Sequence, residues 1–437
     1  MSSCPGTGRG HGSTSRYFRR HSTPGLTPPV RQVRHVRAGG RYALGTRSPI
    51  RFFTMSGTRT NKDLDGPRPA RPGELDGVLN LADEVMRVEQ GHAPSIAVDY
   101  PFIYNDDNLE NIVVVTDGAL VVATVAIWVN EIEVGAARLS VGGINCLATR
   151  TGYRGRGLAT TVMRGAQARM AELGCHVGRL TTNIAKWYRR LGWENAAVQY
   201  DIQLNHSNVE MFAPLPGDVT YACHDDPFDD DVLDAVVALR RADRLGGVRT
   251  AGLMRTLLGS GSDPDVAAGP RIVVARRGSD PVSYLIDRGG SITEWGGSAD
   301  LVAGLLRAWF LAEARRRTGD IEIDAKTRVP LSEIMGVIAP RAGHGFIEGL
   351  RPRSLPVNRE YWGMLYVVDP RGILDAFGLD DVDLAEADGL YTLTRGGATV
   401  TVDRPRLAKL LFGPERIDEF AADRLPLVFY EWPLEHV

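Results

Sequence analysis

An apolar, strand-like run over 139–148 passes directly into Thr149-Arg-Thr-Gly-Tyr-Arg-Gly-Arg-Gly-Leu-Ala159, and that bend opens a helix-like run over 158–173. A strand that becomes a helix through a glycine-rich turn leaves several backbone N–H groups without intrahelical partners. Those groups, with the positive end of the helix dipole, suit a pyrophosphate. Within the bend, Arg154-x-x-Gly157-x-Ala159 is the core of the pattern. Gly155 and Gly157 allow the backbone to approach a phosphate closely, and Arg154 and Arg156 add positive charge. In a chain this rich in Arg, Gly and Ala, about one such match arises by chance, so the surroundings decide.

The surroundings agree. A second strand-like run over 176–182 leads to Trp187-Tyr188-Arg-Arg-Leu-Gly192-Trp193-Glu194. Strand, glycine-rich turn, helix, strand, then Tyr-x-x-x-Gly-aromatic resembles the GCN5-related N-acetyltransferase (GNAT) family over about residues 65–205. The resemblance implies acetyl-CoA as co-substrate. It implies that backbone groups of Leu147, Ala148 and Thr149 pair with the pantetheine arm as another strand would, and that Gly155, Arg156, Gly157, Leu158, Ala159 and Thr160 cradle the phosphates. Thr151 stands where that family commonly has proline, which loosens the turn without removing a donor. Tyr188 occupies the family's acid position. A phenol titrates near about 10, so it is protonated at neutral pH and can hand a proton to a leaving thiolate. Trp187 and Trp193 are expected to pack beside it.

At 437 residues the chain is too long for one core, and 43% hydrophobic with 24% charged residues is the composition of a globular protein. No apolar run is long enough for a membrane span. Cys4, Cys146, Cys175 and Cys223 show neither disulfide nor metal spacing, which points to the reducing cytoplasm and no metal. Residues 1–54 hold ten Arg and no Asp or Glu, so a disordered Arg-rich extension is expected there, with Met55 as the natural start. The remainder carries 41 basic against 53 acidic residues, a balance that favours a cationic amine over nucleic acid.

Three domains are expected beyond that extension. Residues 55–205 are the GNAT acetyltransferase domain. Residues 206–349 echo it, with a helix over 230–241, strands near 271–275 and 282–287, a long helix over 299–316 and a strand over 321–325. That unit lacks the Arg-x-x-Gly-x-Gly/Ala bend, so it is a degenerate GNAT-like domain. Asp225, Asp226, Asp229, Asp230 and Asp231 mark a helix start rather than a metal site, because no His or Glu lies at ligand spacing. Residues 205–217 and 350–360 read as linkers. The end, 350–437, has a strand, a helix, a hairpin turned by Gly396-Gly397, and helices over 404–411 and 414–422, an order that resembles a sterol-carrier-protein-like domain. The fold class is thus α/β (α+β), tandem GNAT-like units followed by a sterol-carrier-like end.

That organisation, with Trp362-Gly-Met-Leu-Tyr-Val-Val-Asp369, resembles the enhanced intracellular survival (Eis) family of N-acetyltransferases over about residues 65–437. The resemblance implies further roles. Asn183 and Ile184 touch the cofactor, and the terminal carboxylate of Val437 accepts the amine proton. Glu435 and His436 are the competing bases. A homo-oligomer, a hexamer, is implied too. Glu84, Glu89, Asp99, Asp106, Asp107 and His92 are candidates for lining a cationic acceptor site. The expected activity is direct acetyl transfer to an amine of a small polycationic molecule or a lysine, and the rival is a non-catalytic acyl-CoA or lipid-binding protein.

Overall fold

The computed structural model describes residues 61–204, 209–260, 269–288, 291–318, 335–339, 357–415 and 424–435. The expected Arg-rich extension, the strand over 321–325, most of the helix over 414–422, His436 and Val437 lie outside the described residues. In chain order come β1 (Asp65–Pro69), α1 (Leu75–Met86), α2 (Ile96–Asp99), β2 (Ile112–Asp117), β3 (Leu120–Val134), β4 (Ala137–Thr149), α3 (Leu158–Glu172), β5 (Val177–Leu180), α4 (Ala185–Arg189) and β6 (Glu194–Leu204). Next are β7 (Val219–His224), α5 (Asp230–Asp243), β8 (Leu245–Gly247), α6 (Ala251–Gly259), β9 (Arg271–Arg277), β10 (Asp280–Arg288), β11 (Ser291–Gly297), α7 (Ala299–Thr318) and β12 (Met335–Ala339). The last are β13 (Val357–Val367), α8 (Pro370–Ala376), β14 (Asp383–Ala387), β15 (Leu390–Arg395), β16 (Ala398–Asp403) and α9 (Arg404–Phe412).

One sheet runs through all three parts, in the order β1-β2-β3-β4-β5-β13-β6-β12-β11-β10-β9-β7, with β8 on the far end of β3. The first half is an antiparallel set, β1 to β4, followed by α3 and by β5 parallel to β4. The second half repeats this plan. β7, β9, β10 and β11 are antiparallel, α7 follows, and β12 lies parallel to β11. β13 lies antiparallel to both β5 and β6, and β6 lies antiparallel to β12. The second linker reading therefore needs correction, because β13 begins at Val357 and pairs from there with Ile202. β14, β15 and β16 form a separate antiparallel sheet.

Side-chain alternation sets the layers. In β2, Val113 and Val115 join the core under α3, with Val162, Met163 and Ala166. Ile112 and Val114 face the other way, into a core with Val78, Leu81 and Ala82 of α1. Those three α1 residues recur at helical spacing, which is why this stretch buries one stripe. Glycine permits the closest approach of α3 to the sheet: a Cβ at Gly142 would stand 2.5 Å from Met170 Sδ, and one at Gly178 2.8 Å from the Trp193 ring. Gly142→Val is therefore expected to cost about 1–3 kcal/mol of stability through overpacking, read as a lowered denaturant midpoint. An unchanged midpoint would mean that α3 moves away freely.

Asp229 settles the acidic run at the start of α5. Its side chain accepts from Val232 N at 3.1 Å, a helix cap. Among the described residues no group of three or more His, Cys, Asp or Glu is placed to hold a metal, and no helix is long and apolar enough to cross a membrane.

Candidate active site

β4 and β5 part company early. Their parallel register runs only from Val141↔Val177 through Gly142↔Gly178 to Gly143↔Arg179. β5 stops at Leu180, whereas β4 continues to Thr149. Beyond Gly143, then, no strand among the described residues pairs with the edge of β4 that faces β5. A bulge lies in that open stretch. Cys146 has φ 45 inside the strand, and the register with β3 slips between Thr124 and Ala126. The faces change there. Ile144 lies in the α3-side core, while Asn145, hydrogen-bonded to Tyr104 at 2.7 Å, and Ala148 lie on the α1 side. Leu147 returns to the α3 side. An unpaired strand edge is a template for an extended, amide-bearing ligand, and here it leads straight into the glycine bend.

The bend is built to stay open. Gly155 (φ 78) and Gly157 (φ 82) take the left-handed conformation, and a Cβ at either would meet nothing within 4 Å. Gly157 is the N-cap of α3, a helix of 15 residues whose first turn contains Leu158, Ala159 and Thr160. Leu158 is buried and anchors the start of the helix in the core. Amides at a helix start, with open space at both glycines, fit a diphosphate. Gly157→Ala forces a side chain into the left-handed region at about 1–2 kcal/mol. CoA affinity is then expected to drop by about 5- to 30-fold in calorimetry, and an unchanged affinity would remove this bend from the binding site.

The arginines behave differently from expectation. Arg154 donates to both carboxylate oxygens of Glu89 at 2.7 Å and, through Nε, to the Thr149 carbonyl at 3.0 Å. The Thr149 carbonyl thus has one of its two lone pairs engaged. Arg156 lies over the Tyr153 ring, 4.9 Å from its centroid, and its carbonyl accepts from Asn61 Nδ2 at 2.8 Å. Tyr153 in turn donates to Asp117 at 2.8 Å, pinning the bend to the end of β2.

Tyr188 is buried in the α3-side core together with Leu158, Leu180 and Trp193. Leu158 at the helix start, Leu180 at the end of β5 and Tyr188 thus share one hydrophobic core. Trp187 and Trp193 meet the Tyr188 ring edge-on at 4.8 and 6.4 Å. Burial pushes the Tyr188 phenol up to about 12, so it holds its proton across the physiological range. Asn183 and Ile184 lie exposed on the loop between β5 and α4. Burial pushes the Cys146 thiol up to about 11, which disfavours its thiolate at neutral pH.

The carboxylates proposed for the acceptor are largely engaged by arginines of the same chain. Glu84 pairs with Arg150, Glu89 with Arg154 and Asp99 with Arg87. Asp106, Asp107 and His92 are exposed. The terminal segment is docked through Glu435: Phe429, Tyr430, Trp432 and Leu434 are buried, and Leu434 shares a core with Trp128 and Ala148 of the opened hairpin. Glu435 makes a poor base. Burial alone raises its carboxyl, but the charges of Arg249 and then Arg240 outweigh that and hold it below its ordinary value. Val437 lies outside the described residues.

Local pattern missed Arg179 of β5 and Glu431 of the terminal segment, which are fully buried and ion-paired to each other. Each is a lone charge in an apolar run, Val177-Gly-Arg-Leu180 and Leu427-Val-Phe-Tyr-Glu-Trp432, and such a charge must find a partner. Among the described residues, the corresponding turn of the second half, between β11 and α7, is closed differently. Gly297, at the end of β11, donates to Asp243 at 3.0 Å, and a Cβ there would stand 2.5 Å from the Val282 carbonyl.

No curated protein matches this chain in sequence. Residues 67–196 match the acetyltransferase (GNAT) domain family. Among solved structures, a protein of unknown function from Enterococcus faecalis, described as a probable N-acyltransferase, is similar at 14% identity, covering 84% of this chain and 97% of that one with a TM-score of 0.59. A GCN5-related N-acetyltransferase from Anabaena variabilis follows at 16% identity, 79% and 89% coverage and a TM-score of 0.55. Eis1 from Mycobacterium abscessus is similar at 15% identity, 81% and 90% coverage and a TM-score of 0.53. At these identities the structural likenesses speak to the fold, and the matched domain speaks to the chemistry. The chain carries a GNAT acetyltransferase domain over residues 67–196 and is an acetyltransferase.

Proposed function

We propose that the chain is an acetyl-CoA-dependent N-acetyltransferase of the Eis type. It would move an acetyl group directly to a primary amine, on a small polycationic molecule or a lysine side chain. The observation that carries this reading is the open edge of β4 running into an uncovered glycine bend at the start of α3. Backbone groups of Leu147 and Ala148 would hold the pantetheine, and those of Gly155 to Thr160 the diphosphate, with Asn183 and Ile184 alongside. Bound acetyl-CoA supplies the activated thioester. The amine nitrogen bonds to the acetyl carbon as the carbon–sulfur bond breaks, and Tyr188 Oη gives its proton to the departing sulfur. The carboxylate of Val437 takes the amine proton. The neutral Cys146 thiol supports direct transfer without an acyl-enzyme.

The acidic balance of the chain beyond residue 54 supports a cationic acceptor, whereas the Arg–carboxylate pairs around the first helix favour one or two engaged amines over a dense polycation. The same reading makes 206–349 a degenerate GNAT-like unit, 350–437 a sterol-carrier-like unit, and the protein a cytoplasmic homohexamer. The test is thiol release from acetyl-CoA with a panel of polyamines and lysine peptides, alongside CoA calorimetry. Amine-dependent release supports the proposal. CoA binding without release under any acceptor would point to the non-catalytic carrier, and neither binding nor release would end it.

A further inference from the structure

A cavity of about 200 Å³ lies where the end of β3, the start of β4, α5 and β8 meet. It is smaller than the roughly 300–1,000 Å³ of sites for drug-sized molecules, so it suits a small ligand. Four arginines line it: Arg138 of β4, Arg240 and Arg241 of α5, and Arg249 just after β8. Among the described residues Glu133 is the one carboxylate in its wall, and Arg138 holds it at 2.6 Å. Arg138 also lies 3.8 Å from the exposed Glu131. Arg240 and Arg249 draw their counter-charge from Glu294 and Glu435, neither of which lines the cavity.

Two groups are left over. Arg249 gives Nε to Glu435 and Nη1 to Glu294, but its Nη2 is buried without a hydrogen-bond partner. That side chain is 1% exposed, so bulk water does not serve the nitrogen. Arg241 is exposed and has no ion pair among the described residues. Buried donors ordinarily have partners, and one on a charged group is costly to leave idle. A trapped water could accept one N–H, yet it brings no charge for Arg241. An oxyanion serves both.

We propose that this cavity binds a small oxyanion of the phosphate type, held by the buried Arg249 Nη2 from within and by Arg241 from the exposed side. Phosphate fits better than a carboxylate because its oxygens point in several directions, and these two guanidinium groups come from different elements. The wall is set in place before a ligand arrives. Arg240 donates to the Gly247 carbonyl through Nε at 3.2 Å and Nη2 at 3.0 Å, and two carboxylates fix Arg249. Glycine leaves room for this arrangement: a Cβ at Gly246 would stand 2.6 Å from Arg240 Nη2, and one at Gly247 1.9 Å from Glu435 Oε1. The cavity is far from the glycine bend. Arg138 and Thr149 lie near opposite ends of β4, about 35 Å apart along the strand. An anion here therefore binds independently of CoA.

The test is calorimetry with inorganic phosphate titrated into the full chain, at an ionic strength matched with chloride. The wild type is compared with Arg241→Glu, Arg249→Lys and Gly157→Ala. Arg241→Glu sets a like charge beside the ligand at an exposed position, so the fold survives and phosphate affinity is expected to fall about tenfold or more. Arg249→Lys keeps a charge opposite Glu294 and Glu435 but lacks the idle nitrogen, and it is expected to lose as much. If that variant fails to fold, Arg241→Glu decides alone. Gly157→Ala alters the bend, the other place where phosphate fits, and should leave this binding intact. CoA affinity should be unchanged in Arg241→Glu. Phosphate binding lost in Gly157→Ala and kept in Arg241→Glu would assign the ion to the bend and overturn the cavity site. No saturable phosphate binding by the wild type, or binding that no variant weakens, would overturn it as well.

Discussion

Tyr188→Phe is expected to lower kcat by about 10²- to 10⁴-fold, the usual range for loss of a placed general acid, while CoA affinity stays unchanged. The substitution removes one oxygen from a ring already fixed by Trp187, Trp193 and the start of α3, so the packing that shapes the site survives. The pH profile gives a second reading of the same group. Burial raises this phenol to about 12, so kcat should show no alkaline loss from it until the pH approaches that value. The raised folded value also means that folding binds an extra proton between about 10 and 12, so this residue's contribution to stability is full below about 10 and falls as pH rises through 12. A kcat that declines from pH 8 in the wild type, and a Tyr188→Phe variant with ordinary kcat, would both assign the proton to another group.

Arg249→Met is expected to cost about 3–5 kcal/mol, the penalty for leaving a buried carboxylate uncompensated. Arg249 is fully enclosed and is the charge nearest to both Glu435 and Glu294. The pH dependence has a definite sign. Glu435 is held below its ordinary value, so its contribution to stability is present above an unfolded value of about 4.3 and is lost as pH falls through its lowered value. The gap in stability between wild type and variant should therefore narrow on acidification. Denaturant unfolding at pH 7 and pH 4 measures both terms. A variant as stable as the wild type at pH 7 would show that water or a side-chain shift satisfies Glu435.

The parts of the site that were legible in the sequence are those whose cause is local. The glycine bend, the start of α3 and the buried Tyr188 each follow from a few adjacent residues. The linker over 350–360 was misread because pairing is not local. Asn358-Arg359-Glu360 is too polar to announce a strand, yet it pairs with β6, far away in sequence. The partner of Arg154 was hidden for a similar reason. Glu89, on the loop after α1, neutralises Arg154 from a distance that no spacing in the sequence reveals. The buried Arg179–Glu431 pair was half visible. Arg179 and Glu431 each stand out in an apolar run, but nothing local says that they find each other.

The most direct measurement is a crystal structure of the full chain with CoA. The account predicts the diphosphate on the amides between Gly155 and Thr160, the pantetheine along Leu147 and Ala148 in the opening between β4 and β5, and the sulfur within reach of Tyr188 Oη. A CoA bound elsewhere in the chain, with β4 and β5 closed on each other beyond Gly143, would contradict it.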